Sequence, residues 1–328
     1  MNSSLRLLDC MKLWMACVVV AIHTNPESSL HNLFFEKLSN RFYELAVPFF
    51  FMASGFLVWR KIAKADTEKK MDRLKGWIRK TFRLYMVWTA IYLPFTLYGF
   101  WHDGVSLTKS IVAFARNVCL VGQNYLSWPL WYLLGMLVAG CIVYLLTKWG
   151  FKNKVLYLVA CAFAIGGMCL NYCQDNGFAT GITGLYFKHF QTTRNGFFEG
   201  LPYITLGIAV ASGHKVKSKT LLAILFIGSF VLHMMGLKLA TYATVYALFC
   251  LVIRFDLPNR NDNLYANCRQ TSTIVYFVHM IWMGILTLLL PFEMSTLWLF
   301  VAVLLLSFAT AAVVIRNKEN RIIKYCFR

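Results

Sequence analysis

Residues 6–26 read RLLDCMKLWMACVVVAIHTNP, an apolar segment long enough to cross a bilayer that nevertheless contains Asp9, Lys12 and His23. At 100° per residue these three side chains fall within about 60° of one another, so they share one helix face. Ionisable groups are costly inside a bilayer and therefore indicate function. Histidine is the side chain best suited to proton transfer near neutral pH. Alternatively, Lys12 snorkels to the headgroups and His23 only caps the helix.

The rest of the chain has the same membrane character. Hydrophobic residues make up 59% of the 328, and charged residues 14%, where about 25% is usual for soluble domains. Ten apolar segments are each about 17–25 residues long and can span the bilayer: 6–26, 43–59, 81–101, 128–147, 154–171, 196–212, 219–236, 238–254, 271–290 and 295–315. The sequence predicts an all-α, polytopic membrane protein of about ten transmembrane helices, with residues 1–328 in a single domain.

The net charge of +19 is explained by topology rather than by nucleic acid, which we do not expect as a partner. An even number of spans places both termini on one side, and basic residues favour the cytoplasmic side. If both termini are cytoplasmic, most of the 33 Lys and Arg lie on the cytoplasmic side of the membrane. Those on the outer side are then Lys37, Arg41, Lys109, Arg116, Lys188, Arg194 and Lys238. Asp9, and the lack of a small-x-small site before His23, favour a retained first helix over a cleaved signal peptide.

Metal and redox chemistry are not indicated by the sequence. The ten cysteines contain no CxxC pair, and no His/Cys cluster has the spacing of a zinc site. The chain also has no P-loop, GxSxG, HExxH or Rossmann glycine motif. We therefore expect any chemistry to depend on polar groups inside the membrane, without a metal.

Two further regions supply charged candidates. Glu44 begins the second apolar segment at a depth similar to that of His23, so it either orients His23 or is an acid at the water interface. Residues 60–83 carry ten basic side chains, which either bind anionic lipid headgroups or hold a ligand. Arg79 and Arg83 are i, i+4 on one helix face, and paired guanidinium groups suit phosphates.

The outer surface and the late segments contribute weaker candidates. Trp131 and Tyr132 open the fourth segment, where they form either an aromatic belt or a surface on which a sugar stacks. Arg194 and Glu199 flank the start of the sixth segment. Tyr276 and His279 are i, i+3 in the ninth, where a satisfied core histidine is the common explanation. The outer segments 102–127 and 172–195 are long enough to form lids.

Several of these motifs resemble the acyltransferase-3 family of membrane proteins. Asp9-x-x-Lys12 with His23 eleven residues later is similar to the family's first-helix D-x-x-R/K…H signature, and residues 47–56, VPFFFMASGF, to its V-P-x-F-F-x-x-S-G-F segment. The later matches are similar to the family's basic, W-[FY]-L, R-x-x-F-x-G and Y-x-x-H motifs: Arg79 to Tyr85, Trp131 to Leu133, Arg194 to Gly207, and Tyr276 to His279.

The resemblance implies an O-acyltransferase of the bacterial inner membrane. It would transfer an acyl group, usually acetyl, from cytoplasmic acetyl-CoA or another acyl-CoA to a hydroxyl of a cell-surface glycan or lipid-linked sugar. His23 would be the general base or the acyl-accepting nucleophile, assisted by Glu44. The remaining roles divide into a donor set and an acceptor set: Asp9, Lys12, Arg79 and Arg83 for the donor, and Trp131, Tyr132, Arg194, Glu199, Tyr276 and His279 for the acceptor.

One departure from the family pattern favours a second hypothesis. Position 12 is Lys where many members have Arg, so a bidentate contact becomes a point charge. This form, with Ala46-Val47-Pro48, is similar to the membrane half of vancomycin-resistance serine racemases, which is associated with serine uptake. We expect no soluble carboxy-terminal racemase or SGNH domain here. The alternative function is therefore a transporter of a small, serine-like amino acid. A homo-oligomer is compatible with either function.

Overall fold

The computed structural model describes residues 5–178, 180–255, 257–258, 262–290 and 294–327, and this part of the chain contains helices and no strand. The helices are α1 Arg6–Thr24, α2 Leu33–Tyr43, α3 Ala46–Arg60, α4 Thr67–His102, α5 Leu107–Arg116, α6 Leu130–Lys148, α7 Asn153–Asp175, α8 Gly181–Phe190, α9 Leu201–Ala211, α10 Lys219–Met234, α11 Lys238–Val252, α12 Asp262–Leu289, α13 Thr296–Arg316 and α14 Arg321–Phe327. A 3₁₀ turn, Pro26–Leu30, and two π-helical turns, Asn117–Val121 and Gly196–Gly200, complete the described elements.

The all-α class is confirmed, and the chain is a multi-pass membrane protein. Within the described residues, six helical segments are long and apolar enough to cross a bilayer: Arg6–Thr24, Leu33–Arg60, Leu130–Lys148, Asn153–Asp175, Asn263–Leu289 and Thr296–Arg316. Three apolar segments, in α9, α10 and α11, are shorter. A helix lies in each of the ten predicted segments. The count of ten spans and the cytoplasmic position of both termini remain predictions.

Helices also occur where the sequence analysis expected connecting segments. The basic segment 60–83 is helical from Thr67, because α4 continues through it for 36 residues, about 54 Å at 1.5 Å per residue. Segments 102–127 and 172–195, which the sequence predicts to lie outside, contain α5 and α8, each ten residues long. Both helices are too short to cross a bilayer, which takes about 20 residues.

The contacts within the chain divide it into two compact units, Met1–Phe50 with Lys215–Arg328, and Phe51–His214. In the first unit α12 packs against α1 and α13, α10 packs against α11, and the 3₁₀ turn lies on α13. In the second unit α4 packs against α6, and α7 packs against α9. The boundary falls inside α3, between Phe50 and Phe51.

In the second unit α3 and α9 approach each other through glycine. A Cβ atom on Gly55 would collide with the carbonyl oxygen of Ile204, and one on Gly207 with that of Met52. Small residues allow this close backbone packing between membrane helices. Helix α3 is continuous from Ala46 to Arg60 through Pro48.

Candidate histidine pair and charged sites

The polar face of α1 lies against α12, and three contacts fix how the two helices align. Arg6 lies over the ring of Tyr265, with 5.7 Å from its guanidinium carbon to the ring centroid. Asp9 accepts a hydrogen bond of 3.4 Å from Arg269. The ring of His23 stacks on that of His279. Because both sets of residue numbers increase together, α1 and α12 run parallel, as the predicted first and ninth spans should.

His23 and His279 form a pair of parallel imidazole rings near the end of α1. Their centroids are 5.3 Å apart and their planes differ by 26°. His279 is fully buried, whereas His23 is half-buried. Tyr276, also buried, contacts His279 with its ring centroid 6.3 Å away. The structure thus brings three of the predicted site residues together.

The hydrogen bond of His279 determines its tautomer. Its Nδ1 lies 3.0 Å from the carbonyl oxygen of Val275. A carbonyl oxygen only accepts, so Nδ1 carries the proton and the neutral ring presents its lone pair at Nε2. Among the described residues that Nε2 atom has no hydrogen-bond partner, although it is fully buried. A satisfied core histidine would use both nitrogens, so His279 is only half satisfied.

Charged side chains in the amino-terminal half of α1 pair with α12. The Asp9 side chain is 15% exposed, and it pairs with Arg269. Lys12 also interacts electrostatically with the Asp9 carboxylate, as its i, i+3 spacing predicts. The thiol groups of Cys10 and Cys268 are neighbours on the two helices. Sequence reasoning missed Arg269 because nothing in a sequence alone pairs positions 260 residues apart.

Glu44 has partners other than His23. Its carboxylate lies 3.2 Å from Arg41 and 3.8 Å from Nε2 of His233, and its side chain is 49% exposed. His233 is buried, and both of its ring nitrogens are hydrogen-bonded: Nε2 to the carbonyl oxygen of Arg41, and Nδ1 to the hydroxyl of Thr241. The role of Glu44 beside His23 stays a prediction.

A carboxylate that the sequence analysis overlooked lies four residues after His23. Glu27, on the 3₁₀ turn, is 5% exposed. The Tyr43 hydroxyl donates to its Oε2 at 2.7 Å, while its Oε1 is buried without a partner among the described residues. The sequence signal was weak because Glu27 follows Pro26 in a segment that resembled an exposed loop.

In the second unit Arg79 and Arg83 lie one turn apart on α4, as their spacing predicted. Arg79 is exposed and Arg83 is half-buried. The helix that carries them begins with Asp66, whose Oδ1 accepts the backbone N–H of Lys69 at 2.8 Å. This hydrogen bond to the backbone holds the pKa of Asp66 below its usual range. Two guanidinium groups on one exposed helix face can bind an anionic ligand.

The aromatic pair at the start of α6 divides into one buried and one half-buried residue. Tyr132 is buried, its hydroxyl hydrogen-bonds Ser54 Oγ at 2.9 Å, and its ring lies 4.6 Å from that of Phe51. Trp131 is half-buried, and its ring lies 5.8 Å from Phe51. Tyr132 therefore packs α6 against α3. Trp131 and the exposed Trp128 leave ring surface on which a sugar could stack.

Arg194 is exposed in the segment before α9, and Glu199 lies half-buried in the π-helical turn. The neighbouring Asn195 holds this segment, since its Oδ1 accepts from two backbone N–H groups and its Nδ2 donates to Tyr186 at 2.6 Å. Burial raises the pKa of Tyr186 to about 12. No group of three His, Cys, Asp or Glu capable of holding a metal occurs among the described residues.

Residues 5–316 match the family model of the acyltransferase domain, Acyl_transf_3, which covers nearly the whole chain. The chain belongs to the acyltransferase-3 family. Among curated proteins, this acyltransferase-3 chain is 27% identical over 264 residues to a serine/alanine racemase of Enterococcus gallinarum, and 26% identical over 279 residues to an amino-acid racemase of Enterococcus faecalis.

These alignments cover 76% and 80% of the acyltransferase-3 chain but only 36% and 34% of the two relatives. The chain thus spans about a third of the length of the curated relatives it matches. A second Enterococcus faecalis amino-acid racemase is 26% identical over 224 residues. No solved structure matches the chain. The resemblance to the subset that includes vancomycin-resistance racemases is confirmed.

Proposed function

We propose that this protein is a membrane O-acyltransferase that moves an acyl group from cytoplasmic acyl-CoA, with acetyl-CoA as the donor, to a hydroxyl on the outer side of the bacterial inner membrane. The acceptor would be a cell-surface glycan or a lipid-linked sugar. Membership of the acyltransferase-3 family supports the reaction class. The stacked pair of His23 and His279 is the observation that carries the assignment of the chemistry.

In the proposed reaction His23 acts as general base. It takes the proton from the acceptor hydroxyl as the oxygen attacks the thioester carbonyl. The C–S bond of the acyl-CoA breaks, the ester C–O bond forms, and the proton passes from His23 to the CoA thiolate. If His23 instead takes the acyl group first, an acyl-imidazole replaces the thioester and the hydroxyl then displaces the imidazole. Both routes require an imidazole with an accessible lone pair.

His279 would assist this step through its fixed tautomer. Because Val275 holds the proton at Nδ1, the buried Nε2 can accept a hydrogen bond from a group that is oriented beside His23. The stacking contact also holds the His23 ring in one plane, which lowers the cost of reaching a reactive geometry. Tyr276 supports the same arrangement by packing on His279.

The donor would be held by charge. Arg79 and Arg83 on α4 would bind the phosphates of CoA, because paired guanidinium groups match phosphate oxygens. Asp9 and Lys12 would shape the passage of the donor, with Arg269 as the partner of Asp9. On the acceptor side, the half-buried Trp131 would stack against a sugar, and the exposed Arg194 and half-buried Glu199 would bind its polar groups.

The test replaces each histidine by Phe, which retains an aromatic ring and removes the nitrogens. Membranes containing wild-type protein should incorporate radiolabelled acetyl groups from acetyl-CoA into glycan or lipid. The H23F variant should lose this transfer while inserting and folding normally. Full transfer by folded H23F would refute the role of His23. An H102F variant, which replaces an exposed histidine of the second unit, is the control and should retain transfer.

A second candidate is a transporter of a small amino acid. The names of the relatives, a serine/alanine racemase and amino-acid racemases, favour an amino acid as ligand. Vesicles that contain the purified protein would then accumulate labelled serine in the absence of any acyl-CoA. The acyltransferase proposal expects no such accumulation, so the two functions are separated by one uptake measurement.

A further inference from the structure

Glu27 is a buried carboxylate with one unused oxygen. Glu27 is 5% exposed, and its Oε2 accepts a hydrogen bond of 2.7 Å from the Tyr43 hydroxyl. Oε1 has neither solvent contact nor a hydrogen-bond partner in the described part of the chain. Tyr43 is a neutral donor, and within the described part of the chain no Lys, Arg or His forms an ion pair with this carboxylate.

A carboxylate in this position is energetically unfavourable without a ligand. Buried charges are normally paired, and a buried acceptor without a partner loses the hydrogen bonds that it would make to water. The turn that carries Glu27 is anchored at two neighbouring residues. The hydroxyls of Ser28 and Ser29 lie 2.8 and 2.7 Å from that of Thr296, which joins the 3₁₀ turn to the start of α13.

Glu27 also lies close to the histidine pair along the chain. Four residues separate it from His23, so their Cα atoms are at most about 14 Å apart even in a fully extended chain. The left-handed backbone of Asn25, with φ of 50°, turns the chain between them. One short segment therefore carries both the carboxylate of Glu27 and the imidazole of His23.

We propose that Oε1 of Glu27 binds the ammonium group of the molecule whose hydroxyl receives the acyl group. This inference rests on the proposed acyltransferase function and adds the class of its acceptor. An ammonium group supplies both of the missing components, a hydrogen-bond donor and a compensating positive charge. A neutral hydroxyl would supply only the first. Two classes of compound carry an ammonium beside a hydroxyl: amino sugars with a free amine, which fit the glycan acceptor proposed above, and hydroxylated amino acids, whose binding would replace that acceptor by an amino acid.

Calorimetry on the full chain in nanodiscs, without acyl-CoA, tests the proposal. The probes are L-serine, glucosamine and N-acetylglucosamine, the last of which has the sugar hydroxyls but no ammonium. Wild-type protein should bind serine or glucosamine, and which of them binds identifies the source of the ammonium. N-acetylglucosamine should bind at least tenfold more weakly. Equal binding of the two sugars, or no binding of either amine, would overturn the proposal.

Variants locate the site. E27Q removes the charge at nearly constant volume and should weaken amine binding at least tenfold. Y43F removes the partner of Oε2 but leaves the carboxylate, so it should retain binding. Unchanged amine binding by E27Q would overturn the assignment to Glu27. Thermal unfolding of each variant separates lost binding from lost folding, and the comparison of probes on wild-type protein does not depend on any variant folding.

The experiment also separates this proposal from the acyltransferase function. H23F should fail to transfer the acyl group, and because the Glu27 carboxylate is retained, it should still bind glucosamine more tightly than N-acetylglucosamine. If acyl transfer occurs but no amine binds, the ammonium site is wrong and the transferase stands. If the amine binds but no transfer occurs in wild type, the transferase is wrong.

Discussion

The imidazole of His23, near the end of α1, stacks on the imidazole of His279 in α12 with ring centroids 5.3 Å apart. One ring is half-buried and the other fully buried, and the buried ring has its tautomer fixed by Val275. Such a pair combines a half-buried imidazole with a fully buried one. It is the arrangement on which the proposed chemistry depends.

The first prediction concerns His279. H279F should keep the stacking contact with His23 but lose the acceptor at Nε2. We expect kcat to decrease about three- to tenfold, because a typical hydrogen bond contributes about 1 kcal/mol. The KM for the donor should be unchanged. Steady-state acyl transfer measures both constants. A purely structural role would instead lower the melting temperature and leave kcat per folded molecule intact, which would contradict the prediction.

The second prediction concerns the donor. R79A/R83A should abolish or strongly weaken binding of acetyl-CoA, because the phosphates lose two cationic partners. Calorimetry with purified protein measures this, and added salt should weaken wild-type binding as well. R73A removes another exposed arginine from α4 and should bind normally. If R73A lowers affinity as much as R79A/R83A, binding would reflect general charge rather than a phosphate site.

The third prediction uses two native cysteines to test the alignment of α1 with α12. The thiol groups of Cys10 and Cys268 are neighbours, so copper phenanthroline should oxidise them to an intramolecular disulfide. Fragments from a protease cut between them should then stay joined until reduction. The C268S variant should give separate fragments. A cross-link that persists in C268S would show that Cys10 has another neighbour.

The fourth prediction concerns the contact between α3 and α9. G55A should destabilise the protein by about 1–3 kcal/mol, since the added Cβ collides with the backbone of Ile204. G228A, in α10, meets nothing within 4 Å and should cause no loss. Thermal unfolding in detergent compares the two. Equal stability of G55A and wild type would exclude the close approach of these helices.

Sequence alone predicted the helical class, the helix in each of ten apolar segments and the shared face on α1, because long apolar runs and helical periodicity are local signals. The i, i+4 pair of Arg79 and Arg83 on α4 follows from the same local rule. The short helices α5 and α8 were not predicted because ten residues are too few to be recognised as a span.

The partners of the polar residues were not predictable in the same way. Arg269 lies opposite Asp9, and His279 opposite His23, only because α1 and α12 pack in a particular register. Glu44 has Arg41 and His233 as partners, although its depth suggested His23. Burial of Glu27 depends on how the 3₁₀ turn lies on α13, which no local pattern encodes.

Transfer of labelled acetyl groups tests the central claim most directly. Inverted membrane vesicles containing the wild-type protein or H23F would receive radiolabelled acetyl-CoA, and label in glycan and lipid fractions would be counted after protein is removed. The account predicts label with wild type and at least about a hundredfold less with H23F, the minimum contribution expected of a general base. Equal labelling by the two proteins, or none by folded wild type, would contradict it.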